Sequence, residues 1–211
     1  MDVAIVGTGN MARGIGSRLV GGGHEVTLYG TELGRAEALA GELGGSANAA
    51  TVGDPIAGDV VVLAVWYPVA SEVVQRYGSQ LGGKVVVDIS NPLDLEAFEP
   101  ISPEAGSGAQ EVAAAAPGAR VVKAFNTTFA GTLAGGGEVA GQPLDVFIAS
   151  DDDEAKQTVA ALVRDGGLRP VDVGPLRRAR ELEALGYLHM AVQEPLGAGF
   201  GSAVKVLTPS G

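Results

Sequence analysis

Residues 4–16 read "AIVGTGNMARGIG" and pass from an apolar run through two glycines into a helix-like segment. Within it, Gly7, Gly9 and Ala12 have the spacing Gly-x-Gly-x-x-Ala. At this spacing the first glycine permits a tight turn after a strand, the second lets the backbone approach a pyrophosphate, and the third small residue allows close helix packing. Because a helix N-terminus also attracts phosphate, the stretch predicts a dinucleotide-binding turn rather than an ordinary glycine turn.

Short, continuously apolar runs recur along the chain and alternate with helix-like segments. Such runs are typical of parallel strands that helices cover on both faces. They are "VAIV" (3–6), "EVTLY" (25–29), "DVVVLAV" (59–65), "KVVVDIS" (84–90), "RVVKAFN" (120–126), "LDVFIA" (144–149) and "RPVDV" (169–173). Helices are predicted over 10–20, 32–43, the Ala-rich end of 100–118, 151–167 and roughly 175–194. The alternation predicts an α/β fold of the Rossmann type, with a doubly wound, mostly parallel sheet and helices on both faces.

The length of 211 residues fits one compact unit. We therefore expect residues 1–211 to form a single NAD(P)-binding domain. Its core should cover about 1–174, and a C-terminal helix with a glycine-rich tail, about 175–211, should form a small appendage.

The composition excludes several classes of function. The chain has no cysteine and two histidines, which argues against a thiolate metal site and a disulfide framework. A net charge of −11 disfavours nucleic acid and anionic membranes as partners. Since the sequence contains neither a signal-peptide pattern nor a membrane-length apolar run, we expect a cytoplasmic protein.

The choice between NAD and NADP depends on the end of the second strand, where the chain reads "LYGTELGRAEA". An NAD site usually has an acidic residue here for the ribose hydroxyls, whereas Gly30 and Thr31 would not repel a phosphate. Thr31 can donate a hydrogen bond and Arg35 can supply a charge to a 2′-phosphate. Glu32 is the alternative, because it can hold the ribose of NAD if its side chain turns inward. We expect NADP.

Two further residue types bear on the chemistry. Lys123 lies inside an apolar strand, where we expect it to pair with Asp88 of the neighbouring strand in a structural role. Neither His24 nor His189 follows a strand end beside a carboxylate. The proton donor that an alcohol dehydrogenase needs is therefore missing, whereas hydride transfer between two stacked rings does not require one.

Four motifs occur in order along nearly the whole chain: "VGTGNMARGIGSRLVGGGHEV", "DISNPL" (88–93), "VVKAFNTTFAGTL" (121–133) and "PVDVGPLRRARELEAL" (170–185). With them the sequence resembles the coenzyme F420-dependent NADP oxidoreductases and the N-terminal NADPH-oxidising domain of the STEAP metalloreductases. The resemblance implies a cytoplasmic, usually dimeric Rossmann-type protein. It also implies hydride transfer between NADP(H) and a second ring system, which is either the deazaflavin coenzyme F420 or a flavin. Relatives often have Ser-Arg or Gly-Arg after the second strand, where this chain has Gly30-Thr31.

The resemblance and the strand ends together give a set of predicted cofactor-binding residues, with no catalytic side chain and no metal ligand. The set comprises Gly7, Thr8, Gly9, Asn10, Met11, Ala12, Thr31, Arg35, Ala64, Val65, Trp66, Tyr67, Asn91, Pro92, Ala124 and Asn126. Trp66 and Tyr67 are either an apolar wall near the nicotinamide or local core packing. Asn126 either contacts the carboxamide or acceptor ring, as the resemblance favours, or caps the next helix.

Two other functions remain open at this point. One is a non-catalytic NADP-binding redox sensor or accessory subunit, in which the tail fills the second site. The other is an imine or pyrroline-carboxylate type reductase, a class that shares the glycine motif but usually carries a longer helical dimerisation domain.

Overall fold

In the computed structural model, residues 1–209 are described. Twelve strands are numbered in chain order: β1 (Asp2–Val6), β2 (Glu25–Gly30), β3 (Ala47–Thr51), β4 (Val60–Leu63), β5 (Val85–Asp88), β6 (Leu93–Asp94), β7 (Glu99–Pro100), β8 (Arg120–Lys123), β9 (Glu138–Val139), β10 (Gln142–Pro143), β11 (Asp145–Ala149) and β12 (Arg169–Gly174). The α-helices are α1 (Asn10–Gly21), α2 (Leu33–Leu43), α3 (Tyr67–Tyr77), α4 (Gly108–Ala115), α5 (Ala130–Ala134), α6 (Asp153–Asp165), α7 (Ala179–Ala191) and α8 (Gln193–Leu196). Two 3₁₀ turns cover Gly78–Leu81 and Leu176–Arg178.

Eight strands form the central sheet in the order β3-β2-β1-β4-β5-β8-β11-β12. From β3 to β8 all neighbours are parallel, whereas β11 is antiparallel to β8 and parallel to β12. The predicted doubly wound, mostly parallel Rossmann-type fold is confirmed. The chain leaves β1 towards β2 on one side and returns to β4 on the other. The crevice at this reversal is where ligands bind in such sheets.

The sheet is buried on both faces, which explains why the strand sequences are apolar without alternation. In β1, Val3 and Ile5 belong to the core under α1, α2, α5 and α6, and Ala4 and Val6 belong to the core under α3 and α4. Small and β-branched side chains therefore build both layers, as expected from a chain with 5% aromatic residues.

Some elements differ from the sequence expectations. The strand β3 was not predicted, because "ANAAT" is half-buried and lacks an apolar run; it adds in parallel to β2 at the sheet edge. The helix α3 was not predicted either, and it begins within the "WYPV" motif with a proline in its first turn, where the missing amide costs no hydrogen bond. The predicted 175–194 helix is divided into a 3₁₀ turn, α7 and α8.

The chain after α8 packs back against the edge of the sheet. Asp145 accepts hydrogen bonds from Arg169 at 2.7 Å, from Lys205 at 2.8 Å and from the Val206 amide at 2.9 Å. Burial alone would raise the pKa of Asp145, but these hydrogen bonds outweigh it and hold the pKa at about 2. The described part of the tail is thus anchored by charge. Over residues 1–209, no helix combines the length and apolar character that crossing a membrane requires.

Candidate cofactor site

The glycine turn between β1 and α1 has the geometry that its sequence predicts. Gly7 has a φ of +121°, and a Cβ there would lie 2.3 Å from the carbonyl oxygen of Ala64, so only glycine fits. Gly9 is extended, and a Cβ there would meet no atom of the protein within 4 Å. Ala12 is fully buried against the sheet. The two glycines therefore differ: Gly7 is required by the fold, whereas Gly9 leaves space beside the helix N-terminus.

That space opens into a cavity of about 470 Å³ at the carboxyl ends of the central strands. Its wall comes from the residues that follow β1, β4, β5 and β8, together with one residue of α7. The lining residues are Gly9, Asn10, Met11, Ala64, Val65, Trp66, Ile89, Ser90, Asn91, Leu93, Asn126, Thr128, Phe129, Ala130 and Met190. Within residues 1–209, none of the lining side chains is a carboxylic acid, lysine, arginine, histidine or tyrosine.

Half of the predicted cofactor-binding residues line this cavity. Those that line it are Gly9, Asn10, Met11, Ala64, Val65, Trp66, Asn91 and Asn126. Trp66 is 65% exposed, so it belongs to the wall and not to the core.

Other predicted residues lie outside this wall. Ala124 is buried in the core, and Pro92 packs towards α4. Tyr67 donates a hydrogen bond to Glu111 at 2.7 Å; burial and this contact raise its pKa to about 12. Thr8 lies against Gly30, where a Cβ would come within 3.0 Å of the Thr8 methyl carbon. None of these four residues lines the cavity.

The end of β2 forms a separate, exposed region. Thr31 and Arg35 are both exposed and do not line the cavity. The Arg35 guanidinium lies 3.3 Å from the carboxylate of Glu32, and the two side chains are 71% and 64% exposed. Glu32, the alternative residue for binding the ribose, is thus directed at Arg35. Because both side chains are exposed, both can rearrange.

Two asparagines form a tight pair on the cavity wall. Asn126 Nδ2 donates to Asn91 Oδ1 at 2.9 Å and to the Leu182 carbonyl oxygen at 2.8 Å, and Asn91 Nδ2 donates to the Asn126 carbonyl oxygen at 3.0 Å. Phe125, directly before Asn126, has a φ of +62°, an uncommon conformation for a bulky residue that turns the chain sharply out of β8. The helix α5 begins at Ala130 without a side-chain cap, so Asn126 does not cap it.

A buried ion network supports this wall from behind. Lys123 Nζ contacts Asp88 Oδ2 at 2.7 Å and Glu183 Oε1 at 2.8 Å, and all three side chains are buried. The predicted Lys123–Asp88 pair is confirmed, and Glu183 is a second partner that was not predicted. Glu183 also accepts a hydrogen bond from the Gly108 amide at 3.2 Å, at the N-terminus of α4. Burial raises the pKa of Glu183.

His189 lies behind the cavity wall, where its ring stacks on Phe129 with the ring centroids 4.2 Å apart. Its Nδ1 lies 3.1 Å from the Thr127 carbonyl oxygen, which can only accept, so Nδ1 carries the proton. Its Nε2 contacts the Ser202 hydroxyl at 2.8 Å. Burial lowers the pKa of His189. The residue therefore positions Phe129 and does not face the cavity.

Several lining residues were not predicted. Ile89, Leu93, Thr128 and Ala130 adjoin residues of the quoted motifs, so the motifs themselves were the available signal. Met190 comes from α7, and nothing in its local sequence indicates that this helix reaches the cavity. The described tail residues 197–209 do not line the cavity, but Phe200 meets Phe129 edge-on, with the ring centroids 5.1 Å apart.

The doubly wound sheet, the glycine turn and the cavity at the chain reversal define a protein of the Rossmann-type, dinucleotide-binding class. A family described as "NADP oxidoreductase coenzyme F420-dependent" matches residues 2–92. Together with the relatives below, this match supports assignment of the chain to the coenzyme F420-dependent NADP oxidoreductase family.

Three relatives illustrate the likeness. Metalloreductase STEAP3 of Rattus norvegicus is 34% identical over 87% of this chain and 36% of its own. The F420-dependent NADP reductase of Methanocaldococcus jannaschii is 30% identical over 61% of this chain and 59% of its own. The crystal structure of a putative F420-dependent NADP reductase from Arthrobacter sp. FB24 is 28% identical, covers 92% of this chain and 94% of that one, and has a TM-score of 0.81. This chain thus spans about a third of STEAP3.

Proposed function

We propose that this protein transfers a hydride between NADP(H) and a deazaflavin of the coenzyme F420 type, with a flavin as the alternative acceptor. The observation that carries the proposal is the composition of the cavity wall, in which the described residues contribute no titratable side chain. Reduction of a carbonyl needs a proton donor at the developing alkoxide, whereas hydride exchange between two flat rings needs proximity and orientation.

The residues present fit a dinucleotide. Space beside Gly9 and the N-terminus of α1, a twelve-residue helix, suit a pyrophosphate. Thr31 and Arg35 can reach a 2′-phosphate from the end of β2. Trp66 and Phe129 offer flat apolar surfaces. The predicted site residues that do not line the cavity, among them Thr8, Tyr67, Pro92 and Ala124, are proposed to act by positioning these groups.

When bound, NADPH supplies the hydride. The contribution of the chain is to fix the two rings against each other and to exclude water with Met11, Ile89, Leu93 and Met190. His189 holds Phe129 in place and, with its pKa lowered by burial, stays neutral at pH 7. No side chain of the cavity wall should therefore impose a pH dependence on hydride transfer between about pH 7 and 8, and the proton that the reduced acceptor takes up comes from solvent.

The test is anaerobic mixing of the protein with NADPH and oxidised coenzyme F420, followed at the visible absorption band of the deazaflavin. The band should disappear at an initial rate proportional to the enzyme concentration. The His24→Gln variant should retain transfer within about threefold, because its ring does not line the cavity, and His189→Gln should lower the rate only through the position of Phe129, on which its ring stacks. A collapse of the rate in both folded variants would show that a protein acid takes part.

Other outcomes would favour the alternatives. Tight NADPH binding without turnover of coenzyme F420 or a flavin would favour a sensor or accessory subunit. Turnover of cyclic imines instead would favour an imine or pyrroline-carboxylate reductase.

We also propose that the chain works in the cytoplasm as a homodimer that binds small redox cofactors and neither nucleic acid nor membrane, and that residues 1–211 form one NADP-binding domain. Support comes from the family membership and the net charge of −11. Sedimentation analysis of the purified protein tests the dimer.

A further inference from the structure

The turn that follows α8 holds a phenylalanine in a backbone conformation that favours glycine. Gly199 and Phe200, the two central residues of the turn 198–201, have φ of +54° and +60°. The Gly201 amide closes the turn by donating to the Ala198 carbonyl oxygen at 2.8 Å. A positive φ is unusual for a bulky residue, and burial does not explain it here, since Phe200 is 53% exposed. Strained residues of this kind persist where their surroundings hold them, and they cluster at functional sites.

Phe200 contacts an aromatic side chain of the cavity wall. Its ring meets the ring of Phe129 edge-on, with the centroids 5.1 Å apart and an interplanar angle of 85°. Phe129 lines the cavity and is also stacked on His189, with the ring centroids 4.2 Å apart. Edge-on and offset-stacked arrangements are the favourable geometries of aromatic pairs. The ring of Phe129 is therefore held by two neighbours, one from α7 and one from the turn.

Ser202, which follows the turn, fixes the imidazole of His189. Because Nδ1 of this ring donates to the Thr127 carbonyl oxygen, Nε2 of the neutral ring is an acceptor. The Ser202 hydroxyl lies 2.8 Å from Nε2 and supplies the hydrogen. The hydroxyl oxygen in turn accepts a hydrogen bond from Gln193 Nε2 at 2.8 Å. Both ring nitrogens are thus hydrogen-bonded, and the ring cannot turn without losing these two bonds.

The Ser202 hydroxyl has a second acceptor within reach, Gln193 Oε1 at 3.1 Å. The hydrogen is assigned to His189 because the distance to Nε2 is shorter and because burial lowers the pKa of His189, which leaves Nε2 without a proton of its own. Turning the Gln193 amide over would place Oε1 against the His189 carbonyl oxygen, which lies 2.6 Å from Gln193 Nε2. Neither oxygen can donate. The cluster therefore has one consistent arrangement of hydrogen atoms.

The turn is attached to the fold on both sides. On its N-terminal side, the Ala198 amide donates to the Gln193 carbonyl oxygen at 3.0 Å. On its C-terminal side, Lys205 contacts the buried carboxylate of Asp145 at 2.8 Å. Residues 199–202 therefore lie between two fixed points.

We propose that Phe200 and Ser202 are positioning residues for hydride transfer: together they fix the ring of Phe129, Phe200 by direct contact and Ser202 through His189. The proposal rests on the proposed function, in which Phe129 offers one of the flat surfaces against which the exchanging rings pack. A fixed wall keeps the two rings in the geometry that hydride transfer requires, and a misplacement of about 1 Å can lower a rate about a hundredfold. The segment after α8 then belongs to the working site, although none of its described residues lines the cavity.

The decisive variant is Phe200→Asn. Asparagine tolerates a positive φ, so the turn and the thermal stability should be retained while the contact with Phe129 is lost. The rate constant of hydride transfer in a single turnover should fall on the order of tenfold. The Kd for 2′-phospho-ADP-ribose, which lacks the nicotinamide ring, should stay unchanged. Phe200→Tyr keeps the aromatic edge and should transfer hydride at the wild-type rate.

Ser202→Ala tests the indirect contact. It removes the hydrogen-bond donor of His189 Nε2 and should lower the transfer rate constant roughly threefold to tenfold. Ser202→Thr, which keeps the hydroxyl, should restore most of the rate.

Ser46→Ala is the matched control. Ser46 is also half-buried, and its hydroxyl also contacts a histidine, donating to the His24 carbonyl oxygen at 2.7 Å. It lies before the first residue of β3, at the opposite end of the parallel strands from the cavity. The control should lose a similar amount of thermal stability and keep the wild-type transfer rate.

A spectroscopic measurement tests the link through His189 without using activity. The chain has two histidines, so in the His24→Gln variant the imidazole nitrogen NMR resonances belong to His189 alone. At neutral pH the proton should reside on Nδ1. Adding Ser202→Ala should move the Nε2 resonance downfield, because its hydrogen bond is lost, whereas adding Ser46→Ala should leave that resonance unchanged.

A wild-type transfer rate in Phe200→Asn or in Ser202→Ala would overturn the role of that residue and leave the proposed function intact. A matching loss of 2′-phospho-ADP-ribose binding would show general damage to the fold and overturn both roles. An Nε2 resonance unaffected by Ser202→Ala would overturn the link through His189. A wild type that transfers hydride to neither coenzyme F420 nor a flavin would instead overturn the proposed function, and this role in transfer with it.

Discussion

The two ends of the proposed cofactor path differ in how firmly their side chains are held. At the end of β2, Arg35 and Glu32 are 71% and 64% exposed and meet in a surface ion pair, an interaction that contributes about 0–1 kcal/mol. At the ends of β5 and β8, Asn91 and Asn126 are locked together by hydrogen bonds above a buried ion network. One end must order its side chains when ligand arrives, whereas the other is formed beforehand.

The largest expected effect is on stability, at the preformed end. Lys123→Met leaves the Asp88 and Glu183 carboxylates buried without a cation. Breaking such a pair costs about 3–5 kcal/mol in the free energy of unfolding, which urea denaturation would measure. Because burial already raises the pKa of Glu183 and loss of the cation favours its neutral form further, the deficit should shrink as the pH falls.

Arg35→Ala is the counterpart at the exposed end, and its unfolding free energy should stay within about 0.5 kcal/mol of wild type. Equal losses in Lys123→Met and Arg35→Ala would remove the contrast between the two ends.

The second largest effect concerns the glycine turn, which lies between the two ends of the proposed cofactor path. Gly9→Val places a branched side chain in the space next to the N-terminus of α1, so NADP⁺ affinity should fall on the order of a hundredfold or more, about 3 kcal/mol. Folding should be unaffected, since the backbone there is extended and no protein atom lies within 4 Å of a Cβ. Calorimetry and thermal melting separate the two properties.

Gly7→Ala is the matched variant and should do the reverse. Its Cβ would collide with the Ala64 carbonyl at 2.3 Å, which destabilises the fold. If folded Gly9→Val binds NADP⁺ like wild type, the assignment of this turn to the pyrophosphate is wrong.

The smallest effect should be a change in cofactor preference. If Arg35 contacts the 2′-phosphate, Arg35→Ala should weaken NADPH by roughly ten- to a hundredfold, the 1.5–3 kcal/mol of a charge-assisted hydrogen bond, and leave NADH nearly unchanged. Titrating both cofactors into wild type, Arg35→Ala and Glu32→Ala measures this.

A wild type that prefers NADH, with Glu32→Ala reducing that preference, would assign the ribose to Glu32 instead. Equal losses of NADPH and NADH binding in Arg35→Ala would leave the arginine with only a supporting role.

The sequence predicted the sheet and the glycine turn because both follow from local patterns: apolar runs of strand length and glycines at fixed spacing. It did not predict β3, since a half-buried edge strand such as "ANAAT" has no such pattern. Lys123 indicated that a buried counter-charge was needed, and Asp88 was found next to it on the neighbouring strand. Glu183 was not found, because it lies 60 residues away in a helix with the charge pattern of a solvated face.

The hydrogen-bonded pair of Asn91 and Asn126 could not be predicted from the sequence either. The motifs identify both asparagines, but how their side chains pair depends also on α7, whose Leu182 carbonyl oxygen accepts a hydrogen bond from the Asn126 amide. Sequence patterns locate such a site; the donors and acceptors that it presents require coordinates.

Gly186 constrains how this protein can change over evolution. A Cβ at this position of α7 would lie 2.8 Å from Asn91 Oδ1 and 3.1 Å from the Asn126 carbonyl oxygen. The same helix supplies Glu183 to the ion network and Met190 to the cavity. The C-terminal segment therefore cannot be exchanged for that of a distant relative as an independent module. Sequences that keep the two asparagines should also retain glycine at this position, and substitutions across the contact should be inherited together.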